Sequence, residues 1–140
     1  MSRIFWDTNL FIYLFEDYGR LSKRVSRLRQ SMLERGDQLV TSTLTLGEIL
    51  VKPLEQGEEE LARKYEQTIT ATSQVLPFDA KAARIYSQVR CDRSIRPPDA
   101  IQLACAAGAT VDLFITNDLH LQAEHVEGIQ FVVSLERAPL

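Results

Sequence analysis

The sequence predicts an α/β domain with a largely parallel sheet of about five strands and helices on both faces. Short apolar runs alternate with longer segments of helical periodicity along the whole chain. The first of these runs, Ile4-Phe5-Trp6, gives way directly to Asp7-Thr8-Asn9, residues that open helices. The chain has 140 residues, 45% of them hydrophobic, which suits one domain over 1–140 with a substantial core.

Each element follows from its local pattern. Ile4 to Trp6 reads as a buried strand. Leu10 to Phe15 is too apolar for a surface element and is taken as a buried short helix, with a continuing strand as the alternative that periodicity alone does not exclude. Leu21, Val25, Leu28 and Met32 recur at helical spacing, and Gly36 ends that helix. Gln38 to Thr41 is the second strand. Ser42 to Val51 is a helix carrying Glu48, interrupted by Pro53 and Gly57. Glu58 to Thr70 is a helix with Leu61, Tyr65 and Ile69 on one side. Val75-Leu76 is a third strand. Asp79 caps a helix that buries Ala82, Ala83, Tyr86 and Val89. A polar, basic loop from Arg90 to Arg96 leads to Pro97-Pro98-Asp99. These open the most apolar helix, Ala100 to Ala107, which stops at Gly108. Leu113 to Thr116 is the fourth strand, ending at Asn117-Asp118. A short helix through Leu121 and a last strand, Phe131 to Val133, complete the set, with a frayed tail after Ser134.

Charge and cysteine content narrow the function classes. The formal net charge of −3 excludes a generally basic nucleic-acid binder but leaves room for a local basic patch. Such a patch is available on the second helix, where Arg20, Lys23, Arg24, Arg27 and Arg35 form a stripe beside the apolar one. The stripe is either a solvated face or a rail for a phosphate backbone or an acidic partner. No long uncharged apolar span and no signal-peptide pattern is present, so a soluble, cytoplasmic protein without a membrane partner is expected. Cys91 and Cys105 stand apart and are expected to be reduced thiols.

Four carboxylates then stand out by position. Asp7 ends the first strand and Asp118 follows the fourth. Asp99 lies in the first turn of the apolar helix, and Glu48 in the first turns of the helix after strand two. In a parallel sheet the strand-to-helix junctions share one edge, so these acids are expected to meet in one cleft. Taken singly, each has a plainer role. Thr45-Leu46-Gly47-Glu48 matches a capping box, Asp99 suits a helix dipole behind Pro98, and Asp7 and Asp118 suit caps. Asp79 is such a cap and is left out of the cluster. Taken together, four acids in a partly buried cleft repel, and their pKa values rise unless a cation neutralises them. An all-oxygen donor set with no His or Cys beside it in sequence suits Mg²⁺ or Mn²⁺ rather than Zn²⁺. Such a site can activate water and stabilise the leaving oxygen of a phosphodiester. His120 and His125, on the short helix after Asp118, are expected at the surface.

These same residues carry a resemblance. Phe5-Trp6-Asp7-Thr8-Asn9, Glu48-Ile49-Leu50-Val51 with Pro53, Pro98-Asp99-Ala100-Ile101-Gln102-Leu103-Ala104 and Ile115-Thr116-Asn117-Asp118 occur in the order of PIN-domain ribonucleases. Within these the chain resembles the VapC-like toxins of bacterial and archaeal toxin–antitoxin pairs, over nearly its whole length. The resemblance implies a three-layer α/β/α fold and divalent-metal-dependent cleavage of RNA, leaving a 5′-phosphate and a 3′-hydroxyl. It implies Asp7, Glu48, Asp99 and Asp118 as the acidic cluster, Asp7 and Asp99 as principal ligands of Mg²⁺ or Mn²⁺, and Asn9 and Thr116 as supporting polar residues. It also implies a homodimer and a cognate antitoxin. Arg20, Lys23, Arg24, Arg27, Arg93 and Arg96 are the candidates for contact with RNA or with that antitoxin.

Two other phosphoryl-chemistry classes fit worse. A phosphatase of the haloacid dehalogenase type needs a second Asp two residues after its nucleophile, where this chain has Asn9. A receiver domain needs an acidic pair ahead of its phospho-acceptor strand, and that pair is missing. The alternative from a different class is a non-catalytic PIN-type module that binds RNA or protein.

Overall fold

β1 (Arg3–Trp6) runs through the middle of the sheet. The computed structural model describes residues 1–121 and 124–140. After β1 come α1 (Thr8–Phe15), α2 (Arg20–Arg35), β2 (Gln38–Ser42), α3 (Thr43–Glu55), α4 (Glu59–Thr72), β3 (Gln74–Leu76), α5 (Ala80–Val89), α6 (Pro97–Ala109) and β4 (Val111–Thr116). A short 3₁₀ turn at Leu119–Leu121 precedes the last strand, β5 (Ile129–Ser134). All five strands are parallel, in the order β3-β2-β1-β4-β5.

The alternation of side chains along each strand builds a core on either face. In β1, Phe5 points to one face, and Ile4 and Trp6 to the other. Phe5 stacks on Phe114 of β4 with ring centroids 4.9 Å apart, in a core completed by α5 and α6. Ile4, Trp6 and Ile115 meet Leu10 and Phe11 of α1, Val25, Leu28 and Met32 of α2, Ile49 of α3 and Ile69 of α4. Helix, sheet and helix are thus three layers with two hydrophobic seams.

The order of connections decides where a site can form. From β1 the chain moves outward through β2 to the edge strand β3, then returns across the other face to place β4 beside β1. The chain therefore leaves β1 and β4 toward opposite sides, and this reversal opens a crevice at their carboxyl ends.

Leu10 to Phe15 is helical as expected, and the alternative of a continuing strand is not realised. Other expectations need correction. α3 does not break at Pro53 but continues to Glu55. Pro53 lies in the last turn, its missing N–H costs one helical bond, and its carbonyl accepts from the Glu58 N–H at 2.8 Å. α6 passes Gly108 and ends at Ala109. The short helix after Asp118 covers Leu119–Leu121 and does not include His125, which is exposed on irregular chain, as His120 is on the turn. The tail after Ser134 is not frayed, because Leu135 is fully buried and Ala138 nearly so. Arg24 donates from Nε to the Leu135 carbonyl at 3.0 Å and from its guanidinium to the Glu136 carbonyl.

One glycine is required by space as well as by conformation. Gly128, just before β5, has φ of 102°, and a Cβ there would stand 2.4 Å from the Ala107 carbonyl oxygen. Both cysteines are unpaired, and burial pushes the Cys105 thiol up to about 11. No helix among the described residues is long and apolar enough to cross a membrane.

Candidate active site

Asp7 is placed by the end of β1. Its backbone N–H still pairs with the Ile115 carbonyl of β4 at 3.1 Å, so the residue is fixed to the sheet. Its side chain then caps α1, accepting from the Thr8 N–H at 2.8 Å. The other carboxylate oxygen accepts from the Thr116 hydroxyl at 2.9 Å. Only 8% of Asp7 is exposed. Burial pushes its carboxyl above the usual range, and the charges of Asp99 and Glu48 push the same way, against the hydrogen bonds from Thr116 and Thr8.

The other three acids reach the same crevice from separate elements. Asp7, Glu48, Asp99 and Asp118 all line a cleft of about 290 Å³, together with Thr8, Asn9, Ile12, Arg96, Pro98 and Gln102. Asp99, buried in the first turn of α6, faces Arg96, whose Nε donates to it at 3.2 Å. Asp118 follows β4; its N–H donates to Thr116 Oγ1 at 3.0 Å, and its carboxylate accepts from the His120 N–H at 2.9 Å. Glu48 is exposed at the mouth and accepts from the Thr8 hydroxyl at 2.6 Å. The capping box proposed for Glu48 is not formed. α3 begins one turn earlier, with Ser42 as the cap that accepts from the Thr45 N–H. Glu48 is thereby left free to turn to α1.

A buried polar network lies under the acids, and sequence reasoning missed it. Gln102 is 2% exposed on the otherwise apolar α6. Its Oε1 accepts from the Ser42 hydroxyl. Its Nε2 donates to Thr45 at 2.8 Å and Thr8 at 3.2 Å, and lies 3.4 Å from Asp7 Oδ1. This amide ties α6, α3 and α1 together beneath the carboxylates. The signal was one amide inside an apolar run, since a buried polar side chain needs partners.

The basic candidates separate. Arg96 lines the cleft. Arg20, Arg24 and Arg35 turn to the tail: Arg20 pairs with Glu136 at 3.4 Å, and Arg35 donates to the Pro139 carbonyl at 3.1 Å. Lys23 and Arg27 are exposed on α2 beside a shallow hollow with Ser22 and Ser26, and Arg93 is exposed on the loop before α6. Size does not identify the site. A wider hollow of about 410 Å³ lies against α5 over Ile85, Val89 and Ile95, and none of the four acids lines it.

The acids that line the cleft offer oxygen ligands, and no His or Cys lines it, which suits a hard divalent cation. Among the described residues the buried Asp7 carboxylate accepts hydrogen bonds but forms no ion pair, which also suits one. Among the described residues, no three His, Cys, Asp or Glu side chains stand close enough to hold an ion together. Arg96 instead spans the gap, with Nη2 at 3.7 Å from Asp118 as well as Nε on Asp99.

A three-layer α/β/α domain with acids gathered at the reversal point of a parallel sheet defines the class. The sequence pattern of the PIN domain matches residues 4–124, and the chain belongs to that family. No curated protein matches it in sequence. Among solved structures, the chain is similar in fold to VapBC2 from Rickettsia felis bound to a DNA fragment from their promoter, with a TM-score of 0.74 and 13% identity over 94% of this chain and 98% of that one. DNA-bound VapBC from Salmonella typhimurium gives 0.73 and 18% over 96% and 99%. A toxin–antitoxin complex from Klebsiella pneumoniae gives 0.62 and 24% over 90% and 94%.

Proposed function

We propose that the protein is a metal-dependent endoribonuclease, the toxin of a toxin–antitoxin pair that inhibits translation, with its chemistry carried by one PIN domain. The observation behind the proposal is that four acids from distant parts of the chain line one cleft, with Asp7 and Asp99 buried in it. Asp7 and Asp99 would hold Mg²⁺ or Mn²⁺, with Glu48 and Asp118 completing its shell or placing a second ion. An ion held there would supply a water of lowered pKa and positive charge for the leaving oxygen of a phosphodiester.

The chain's own residues do the rest. Thr116 and the Thr8 N–H fix the two oxygens of Asp7, while Gln102 braces Thr8 from below. Glu48, held by the Thr8 hydroxyl at the mouth, would orient the attacking water and take its proton. Asn9 lines the cleft and would support the acids as a polar neighbour. Lys23, Arg27 and Arg93, exposed on the surface, and Arg96 in the cleft would contact RNA phosphates or an acidic antitoxin segment. The likeness to proteins solved as toxin–antitoxin complexes supports an antitoxin partner, and a homodimer in the cytoplasm completes the proposal.

The test is cleavage of single-stranded and structured RNA with Mg²⁺ or Mn²⁺ and with a chelator. Wild type cuts only with metal, leaving 5′-phosphate ends. Asp7→Asn and Asp99→Asn each lose activity by about two orders of magnitude or more, the scale of one preorganised electrostatic contact. Wild-type cleavage by either variant removes that residue from the mechanism. Induced wild type arrests growth and Asp99→Asn does not; equal growth of the two removes the toxin role. The second reading, a non-catalytic RNA- or protein-binding module, has the separation of the acids on its side. RNA binding without cleavage under every metal condition would establish it.

A further inference from the structure

Arg96 is the single cation among the described residues that line the acidic cleft. Its guanidinium bridges two of the four acids, with Nε at 3.2 Å from Asp99 Oδ2 and Nη2 at 3.7 Å from Asp118 Oδ2. This placement is set by the backbone. Arg96 is the N-cap of α6, and its carbonyl accepts from the Ala100 N–H at 2.9 Å. Pro97 follows it and confines it to extended conformations. Ile95 before it is 2% exposed, and its carbonyl is held by Arg90 at 2.8 Å. The side chain itself is 73% exposed, so the arm is free to swing while its root is fixed.

The start of α6 is also short of other donors. Pro97 and Pro98 occupy its first two positions and have no N–H. An anion entering the cleft at this helix start therefore meets Arg96 rather than those backbone amides. A divalent ion drawn to Asp99 and Asp118 meets the same guanidinium as a repelling charge already paired with its ligands.

We infer that Arg96 is a resident counter-ion of the cleft, which a divalent cation displaces from Asp99 and Asp118 and which then pairs with the RNA phosphate. This inference rests on the proposed function for the identity of the ligands. Arg96 offsets the repulsion between the two carboxylates while no ion is bound and sets the metal concentration at which the site fills. Once displaced, it supplies a positive charge to the phosphodiester at the cleft.

The experiment is Mn²⁺ binding to metal-stripped protein, read from the electron paramagnetic resonance signal of free Mn²⁺. Arg96→Gln binds Mn²⁺ about three- to tenfold more tightly than wild type, the scale of losing one or two exposed ion pairs. Arg96→Lys, which keeps the charge but not the fork, falls between them. Equal or weaker binding by Arg96→Gln, with its circular dichroism unchanged, overturns the inference and leaves the proposed function standing. No saturable Mn²⁺ binding by wild type, Arg96→Gln or Asp99→Asn overturns both. With RNA as substrate, Arg96→Gln needs less Mn²⁺ for half-maximal rate but shows a raised KM for RNA. An unchanged KM beside tighter Mn²⁺ binding strikes out the phosphate contact.

Discussion

Asp7 serves the sheet, the helix and the cleft at once. Its N–H pairs with β4, its side chain caps α1, and its remaining acceptor capacity faces the cleft. The combination leaves a buried carboxylate whose pKa is raised, first by burial and then by Asp99 and Glu48. That direction fixes the sign of the effect on stability. The folded state holds this proton more tightly than the unfolded chain does, so Asp7 contributes favourably below its ordinary pKa. That contribution is lost as pH rises through the elevated folded value. In chelator, Asp7→Asn is therefore expected to gain thermal stability over wild type as pH rises from the ordinary carboxyl value of 3.8 toward neutrality, and to lose that advantage in acid. An Asn keeps an acceptor for the Thr8 N–H and offers its amide to Thr116 Oγ1. Melting curves of both proteins across pH check this, and a wild type more stable than Asp7→Asn at neutral pH without metal would refute it. The four acids were legible in the sequence because each stands at a strand end or in the first turns of a helix. The support beneath them was not. Ser42, Thr45 and Gln102 meet across gaps of 57 and 60 residues, and no local pattern records such a hydrogen bond. Glu48 looked like a capping partner of Thr45 because the true cap, Ser42, lies one turn earlier.

At the scale of elements, local chemistry predicted caps more faithfully than it predicted breaks. Gly36 ends α2 in the left-handed conformation that glycine favours, and Asp79 caps α5, both as expected. α3 passes Pro53 and ends two residues later, so the proline marks the approach to the helix end rather than the end itself. The C-terminal segment misled for another reason. Leu135-Glu136-Arg137-Ala138 has no periodicity of its own, and its order comes from α2. Leu135 enters the core formed by Val25, Leu28 and Met32, and Arg24 holds the carbonyls above it. Part of the basic stripe on α2 is thus a clasp for the tail. Leu135→Ala should destabilise the protein by about 2–5 kcal/mol, the range for truncating a buried leucine. Urea denaturation measures it. A loss below about 0.5 kcal/mol, as at a surface position, would mean that the tail is not docked in solution.

At the scale of the whole molecule, the strand order locates the chemistry. Sequence alternation of strands and helices was enough to anticipate a parallel sheet, but it carries no information on which strand neighbours which. The return of the chain from edge strand β3 to a place beside β1 brings Thr116 and Asp118 to Asp7, across more than a hundred positions of sequence. The folded state thereby assembles a cleft whose charge works against it, with four carboxylates facing one arginine. The unfolded chain keeps those acids apart, so a cation that neutralises the cluster binds the folded state alone and must raise its stability. At a concentration of about 100 times Kd the gain is about 2.7 kcal/mol, or a rise in Tm of about 5–10 °C for a chain of this size. Scanning calorimetry at neutral pH with and without Mg²⁺ measures it. The rise should shrink in acid, where Asp7 keeps its proton and an ion has to expel it. The discriminating control is Asp99→Asn, which removes one carboxylate while leaving the hydrophobic seams intact. Equal shifts in wild type and Asp99→Asn would place the ion elsewhere on this acidic chain. No shift in wild type at millimolar Mg²⁺ would leave the cleft without the cation on which the nuclease proposal depends.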